Sequence, residues 1–132
     1  MKNILCLAII LSCFIPNPIF AGGSSTFLYT IIDAHTGKDM ADEGVAIYAR
    51  KSGTKQWNYV GVYSKAYGGK GNINVTYGQD QPANRNNHLL FQREQRAPNI
   101  DIKIICEGYR TSVVRNRSHR DHSSKNIFAL HK

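Results

Sequence analysis

The stretch "IIDAHTGKDMADEGVAIYAR", residues 31–50, sets two apolar runs on either side of a polar centre holding Asp33, His35, Thr36, Gly37 and Gly44. An Asp and a His two residues apart raise the question of a catalytic pair. Turn chemistry accounts for the same residues with less machinery. Short oxygen-bearing side chains such as Asp and Thr hydrogen-bond to backbone amides at strand ends, and glycine adopts the angles that a reversal demands. The stretch reads as a strand ending at Asp33, a corner that leaves His35 exposed, and a second strand opening near Gly44.

Working outward, the same grammar recurs. Runs of alternating or β-branched and aromatic residues, each bounded by Gly, Asn, Asp or Ser, cover Phe27 to Ala34, Gly44 to Lys51, Gln56 to Ser64, Asn72 to Tyr77, Asn87 to Gln92, Ile100 to Glu107, Tyr109 to Arg115 and Lys125 to Leu130. Helical spacing is scarce. Seven or eight short strands joined by brief turns predict an all-β chain, a seven- or eight-stranded antiparallel β-sandwich. "KSGTKQ" and "AYGGKGN" read as hairpin turns, and "GQDQPANRNN", residues 78–87, as an exposed polar loop. "GGKGN" lacks the Lys-Ser/Thr ending and the following helix of a phosphate-binding loop.

The N-terminus has a different character. "MKNILCLAIILSCFIPNPIFA" combines Lys2, an apolar run from Ile4 to Ile15 and a small residue, Ala21, at a plausible cleavage edge, which is the pattern of a secretory signal peptide. The run is shorter than the roughly 20 residues that cross a bilayer, and Pro16 and Pro18 interrupt its end. The expectation is a signal peptide over 1–21, export to the periplasm or beyond, and a single β-sandwich domain over 22–132 with no transmembrane anchor. Removing 21 of 132 residues leaves 111, enough for one core but not two. The full chain carries 17 basic and 9 acidic residues, a formal +8; loss of Lys2 lowers this to +7. Such an excess favours anionic partners and says nothing of fold. Cys106 alone survives cleavage, so no internal disulfide is expected. It follows Ile100, Ile102 and Ile104 in period two, which predicts a buried thiol.

Taken together, three pieces give the chain its resemblance to the transthyretin-like sandwiches, including the carboxypeptidase regulatory-like domains. They are the opening hairpin quoted above, the glycine turn and alternating strand of "YSKAYGGKGNINV", and the Gly-Tyr pair that ends "IDIKIICEGYRTSVV", spread over about residues 27–115. One enzymatic branch of that family hydrolyses 5-hydroxyisourate, and the resemblance implies catalytic positions that can be checked. A histidine three residues before the strand-ending Asp is Thr30 here; an arginine closing the glycine turn is Lys70; a terminal Tyr-Arg-Gly-Ser is replaced by "FALHK". The groups that would move the proton and grip the anion are gone, and lysine does not reproduce the arginine fork. No nucleophile elbow marks another catalytic set.

The remaining candidates are binding groups. Arg110, Arg115, Arg117, Arg120 and Lys125 lie within sixteen residues that include one acid, Asp121, and predict a positive edge. Arg117 and Arg120 are expected in a loop. Trp57, Tyr59 and Tyr63 share one face if their strand alternates regularly, and Trp57 is a second candidate contact. His119 and His122 are weak metal candidates, since i and i+3 side chains diverge in a strand and Arg117 and Arg120 would oppose a cation; no cofactor is expected. Nucleic acid is not the expected partner of an exported chain lacking a recognisable nucleic-acid platform. The reading is an exported noncatalytic module that binds a protein or an anionic envelope component, an immunity or inhibitor protein being one concrete form. Its rivals are a hydrolase with an unrecognised site and an accessory subunit offering a sheet edge for strand addition.

Overall fold

Eight strands and no helix make up the described residues of the computed structural model, which are 23–65, 68–78, 88–91, 93–118, 120 and 126–132. The strands are β1 (Gly23–Asp33), β2 (Ala46–Lys51), β3 (Asn58–Val62), β4 (Gly71–Tyr77), β5 (His88–Phe91), β6 (Ile100–Ile105), β7 (Ser112–Arg117) and β8 (Ile127–Leu130). Each falls on one of the eight runs expected from the alternation. The loop expected over 78–87 lies, apart from Gly78, outside the described residues, as does the N-terminal segment 1–22. Among the described residues no helix is long and apolar enough to cross a membrane.

Two four-stranded sheets form, ordered β5-β4-β1-β8 and β3-β2-β6-β7. The second is antiparallel throughout. The first is mixed, which corrects the wholly antiparallel expectation: β4 pairs with β1 antiparallel, but β8 runs parallel to β1 and β5 parallel to β4. An amphipathic strand alternates identically whichever way its neighbour runs, so direction is not written into period two. β1 also starts four residues before Phe27. "GSST" has weak strand preference, yet the register Gly23↔Tyr77 to Tyr29↔Gly71 gives its backbone a ladder.

The core lies between the sheets. Phe27, Tyr29 and Ile31 from β1 meet Ile73 and Val75 from β4, Phe128 and Leu130 from β8, Ile47 and Ala49 from β2, Val60 from β3, and Ile100, Ile102 and Ile104 from β6, all buried. Cys106 joins them as a free, buried thiol. Phe27, Tyr29, Tyr63 and Phe128 pack ring against ring at centroid separations of 5.5–6.5 Å. Gly71 admits that cluster: a Cβ there would sit 2.7 Å from the Tyr63 ring and 3.0 Å from Tyr29.

Two irregularities in the second sheet decide which side chains face outward. Tyr48 pairs with Tyr59 and Ile47 with Gly61, so Val60 is an extra residue on β3, and Gly61 takes a φ of 149° that few side chains tolerate. Beyond this bulge the alternation inverts. Tyr59 and Val62 face solvent while Val60 and Tyr63 are buried, so Trp57, Tyr59 and Tyr63 do not share a face. On β7, Val114 pairs with Ile102 and Arg117 with Ile100, leaving Arg115 and Asn116 both opposite Asp101, with Asn116 at φ 57°. Val113 and Arg115 face outward; Arg117 is thereby turned to the inner side. The strand expected from Tyr109 begins only at Ser112, because residues 106–109 turn, with the Tyr109 amide donating to the Cys106 carbonyl at 3.0 Å.

Candidate functional site

At the corner of the opening stretch, β1 delivers Asp33 to its last position with its carboxylate fully engaged. Oδ1 accepts from the backbone amides of His35 (2.7 Å) and Thr36 (3.0 Å), and Oδ2 accepts from the Tyr109 hydroxyl (2.5 Å). The Tyr109 hydrogen bond and then the two amides hold the Asp33 carboxyl down at about 2, against a smaller opposing effect of burial. The same bond pushes the Tyr109 hydroxyl up to about 12, with burial adding to it. A carboxylate held so far below neutral pH and already accepting three hydrogen bonds is poorly matched to general-base work. His35 is exposed and contributes its backbone amide to Asp33. A cavity of about 500 Å³ opens beside this corner, between Asp33–Thr36 and the Leu130–Lys132 end of the described chain. Asp33 and Tyr109, read from sequence as two separate family-like motifs, form one latch.

The second candidate region is the outer face of β3-β2-β6-β7. Register sets its side chains in three rungs. Val62, Ala46 and Ile105 form the first; Tyr59, Tyr48, Lys103 and Val113 the second; Arg50, Asp101 and Arg115 the third, with Trp57 beside Arg50. Asp101 is 3% exposed yet charged: burial pushes its carboxyl up, and hydrogen bonds from the Asn116 amide (2.9 Å), Arg50 Nε (3.0 Å) and the Ser52 hydroxyl (2.9 Å) outweigh this and leave it below its ordinary value. Arg115 Nη1 lies 3.9 Å from the same carboxylate. The Arg50 guanidinium stands 4.0 Å over the Trp57 ring, and Lys103 Nζ lies 4.9 Å from that ring and 5.0 Å from Tyr48. Two arginines thus share one acid, and Arg50 and Lys103 rest on aromatic rings.

The sequence-predicted basic run is divided by the fold. Arg115 joins this face. Arg117 is half-buried at the end of β7, its guanidinium 5.8 Å from the Phe128 ring, so its placement in a loop is corrected. The Asn116 bulge is the reason. Arg110 is exposed before the start of β7, its amide donating to the His131 carbonyl at 2.7 Å, and Arg120 is exposed with its amide on the Ser118 hydroxyl at 3.1 Å. Lys125, His119 and His122 lie outside the described residues. Among the described residues no group of three or more His, Cys, Asp or Glu side chains is disposed to hold a metal. Arg50, Lys103 and Tyr48 were missed as site residues. Their signal was their outward phase in "AIYARK" and "IDIKII", which gains meaning only when β2 and β6 are known to be neighbours.

No family model matches the chain, and comparisons with curated proteins and with solved structures return no match.

Proposed function

We propose that this chain is an exported, noncatalytic binding module of transthyretin-like architecture, acting on a protein or an anionic envelope component outside the cytoplasm. The observation that carries the binding reading is the convergence of Arg50, Lys103, Arg115 and Trp57 on one outer sheet face whose single acid is already engaged. Such a face attracts acidic groups over roughly 8–10 Å at ordinary ionic strength. Export is supported by the signal-peptide pattern of residues 1–21, and the family likeness by the contact between its two corner motifs at Asp33 and Tyr109. An inhibitor or immunity protein, which blocks its target by covering it, is the concrete form that a rigid basic face fits.

The test is a double substitution, Lys103→Ala with Arg115→Ala. Both residues point outward, and neither is the main counter-ion of Asp101, which keeps Arg50 at 3.0 Å. Retention on an anionic matrix and binding to the partner recovered from envelope extract should both fall at low salt, and the gap from wild type should close as salt rises, since screening acts mainly on association. Equal behaviour of the two proteins at every ionic strength overturns the reading.

A further inference from the structure

The same face holds a second, independent feature. Among the described residues the large apolar side chains left exposed are Tyr59 (57%), Val62 (49%), Ile105 (37%), Val113 (40%) and Ile127 (53%), and the first four all lie on the outer face of β3-β2-β6-β7. They are contiguous. Val62 and Ile105 flank Ala46 across the first rung, while Tyr59 and Val113 close the two ends of the second rung. Charge enters at Lys103, between Tyr48 and Val113 in the second rung, and continues to Arg50 and Arg115 in the third.

We infer that this apolar strip with its cationic border is the docking surface for a second protein, one that presents apolar side chains bordered by carboxylates. The inference rests on the binding reading above and names the partner class within it. Three alternatives fit the surface less well. A saccharide would stack on an open aromatic face, but the Trp57 ring is covered by Arg50 at 4.0 Å and Lys103 at 4.9 Å, and Tyr48 meets the Tyr59 ring in an edge contact at 5.4 Å. A lipid headgroup would use the cations and leave Val62, Ala46 and Ile105 without a role. A second copy of the chain would set Lys103 and Arg115 against their own equivalents with no free acid between them. A protein surface uses both parts: exposed aromatic, aliphatic and arginine side chains at the centre, and charge complementarity at the border. The size of the face bounds the complex. Strands about 4.8 Å apart and six residues long cover roughly 400 Å², about half of what each partner gives to a standard interface, so the complex belongs to the weaker, exchanging class unless neighbouring loops join it.

The experiment separates the apolar half from the charged half. A photocross-linking residue is placed at Val113 and, as a control on the other sheet, at Thr26; adducts formed in the envelope are identified by mass spectrometry and the cross-linked protein is purified. Its titration follows against wild type, Val62→Ser with Ile105→Ser, and Lys103→Ala with Arg115→Ala, with melting curves confirming that each variant folds. Phosphatidylglycerol vesicles and heparin serve as probes carrying negative charge without an apolar protein face. The expected result is a protein adduct from Val113 and not from Thr26, mapped to a segment where Asp or Glu borders apolar residues. The serine pair should then lose about tenfold in affinity at every salt concentration, leaving weak vesicle and heparin binding unchanged. Adducts only with lipid, with saccharide or with the chain itself overturn the inference, and so does a serine pair that binds the purified partner as well as wild type. The two readings fail separately: indifference of the serine pair with a salt-dependent loss in the alanine pair sinks the protein-partner inference alone, whereas indifference of the alanine pair sinks the charge-based reading beneath it.

Discussion

The two sheets turn very different faces to solvent. On the outside of β5-β4-β1-β8, Ser24 opposes Thr76 and Thr26 opposes Asn74, with the Thr26 hydroxyl donating to the Asn74 side-chain oxygen at 2.9 Å; Thr30, Leu28 and Ile32 continue toward β8. No Lys, Arg, Asp or Glu occupies the described outward positions of that sheet. On the outside of β3-β2-β6-β7 stand Tyr59, Tyr48, Trp57, Lys103, Arg50 and Arg115, with Val62, Ile105 and Val113 exposed among them. A half-solvated sheet face needs only β-forming residues, and along the antiparallel β1–β4 pair Thr, Ser and Asn supply them, with Ile127 on β8 the one large apolar side chain of this sheet exposed among the described residues. Aromatic rings, stacked cations and bare aliphatics exceed what the sandwich itself requires. That surplus is the physical reason for proposing the second sheet as the recognition surface.

The largest expected effect tests whether charge on that face is structural as well as functional. Asp101→Ala strips the counter-ion from Arg50, whose side chain is 14% exposed, and removes the anchor of the left-handed Asn116. A loss of about 3 kcal/mol is expected in urea unfolding, because an unpaired buried charge remains. Asn74→Ala on the opposite face breaks one exposed hydrogen bond and should cost under about 1 kcal/mol. Comparable losses from the two would erase the contrast between the faces.

A second effect concerns pH and the corner latch. The folded Asp33 carboxyl, at about 2, lies below its ordinary 3.8, so the stability it supplies is complete above pH 3.8 and drains away as pH falls through 2; Asp101, also held low, acts in the same direction. The Tyr109 hydroxyl, raised from 10.0 to about 12, supplies stability that is complete below pH 10 and is lost as pH rises through 12. Tyr109→Phe should remove its own share of the alkaline loss, leaving the share of Tyr63 and Tyr29, whose hydroxyls burial also pushes up, and should move the Asp33 carboxyl upward toward 3.8, which a carboxyl-carbon NMR titration reads directly. A carboxyl still near 2 in that variant would assign the depression to the backbone amides alone.

Smaller still is the expected cost of Trp57→Ala. The ring that both Arg50 and Lys103 contact disappears, and about 0.5–1 kcal/mol should go with the lost cation–π contacts, more at low salt than at high. At the bottom of the scale, Tyr59→Ser and Thr26→Val should each change the melting curve by no more than about 0.5 kcal/mol, since both side chains are exposed. Their difference should appear only in binding. Loss of affinity in Tyr59→Ser with none in Thr26→Val would sharpen the contrast to its functional core.

Much of the fold was legible in advance. Ile100, Ile102, Ile104 and Cys106 repeat at period two and are all buried, and the quoted corner behaves as its turn chemistry dictated, with Asp33 capping His35 and Thr36. The candidate site was legible only in fragments. Trp57 and Arg115 were identified without the residues that connect them, Arg50 and Lys103, because cations at outward phases of separate strands look like ordinary solubilising charge until the strands are paired. Arg117 was expected in a loop beyond Arg115, but pairing with Ile100 carries β7 on to it, and the bulge at Asn116 turns it inward against Phe128.

By itself, then, the sequence determined which eight segments form strands, which residues within each regular run share a side, and that the corner at Asp33 would be held by its own backbone amides. These are properties of a few consecutive residues, governed by the pleat and by short-range hydrogen bonding. Only the tertiary structure decided that β8 and β5 run parallel to their neighbours, that Tyr109 closes on Asp33 across 76 positions of chain, and that the alternation inverts at Gly61 and Asn116. The physical reason is the same in each case. A bulge is one residue too many relative to a partner strand, and a parallel pair or a distant hydrogen bond is likewise a relation between segments; no window along one segment contains it, and the outer face that joins Trp57, Arg50, Lys103 and Arg115 exists only once those relations are in place.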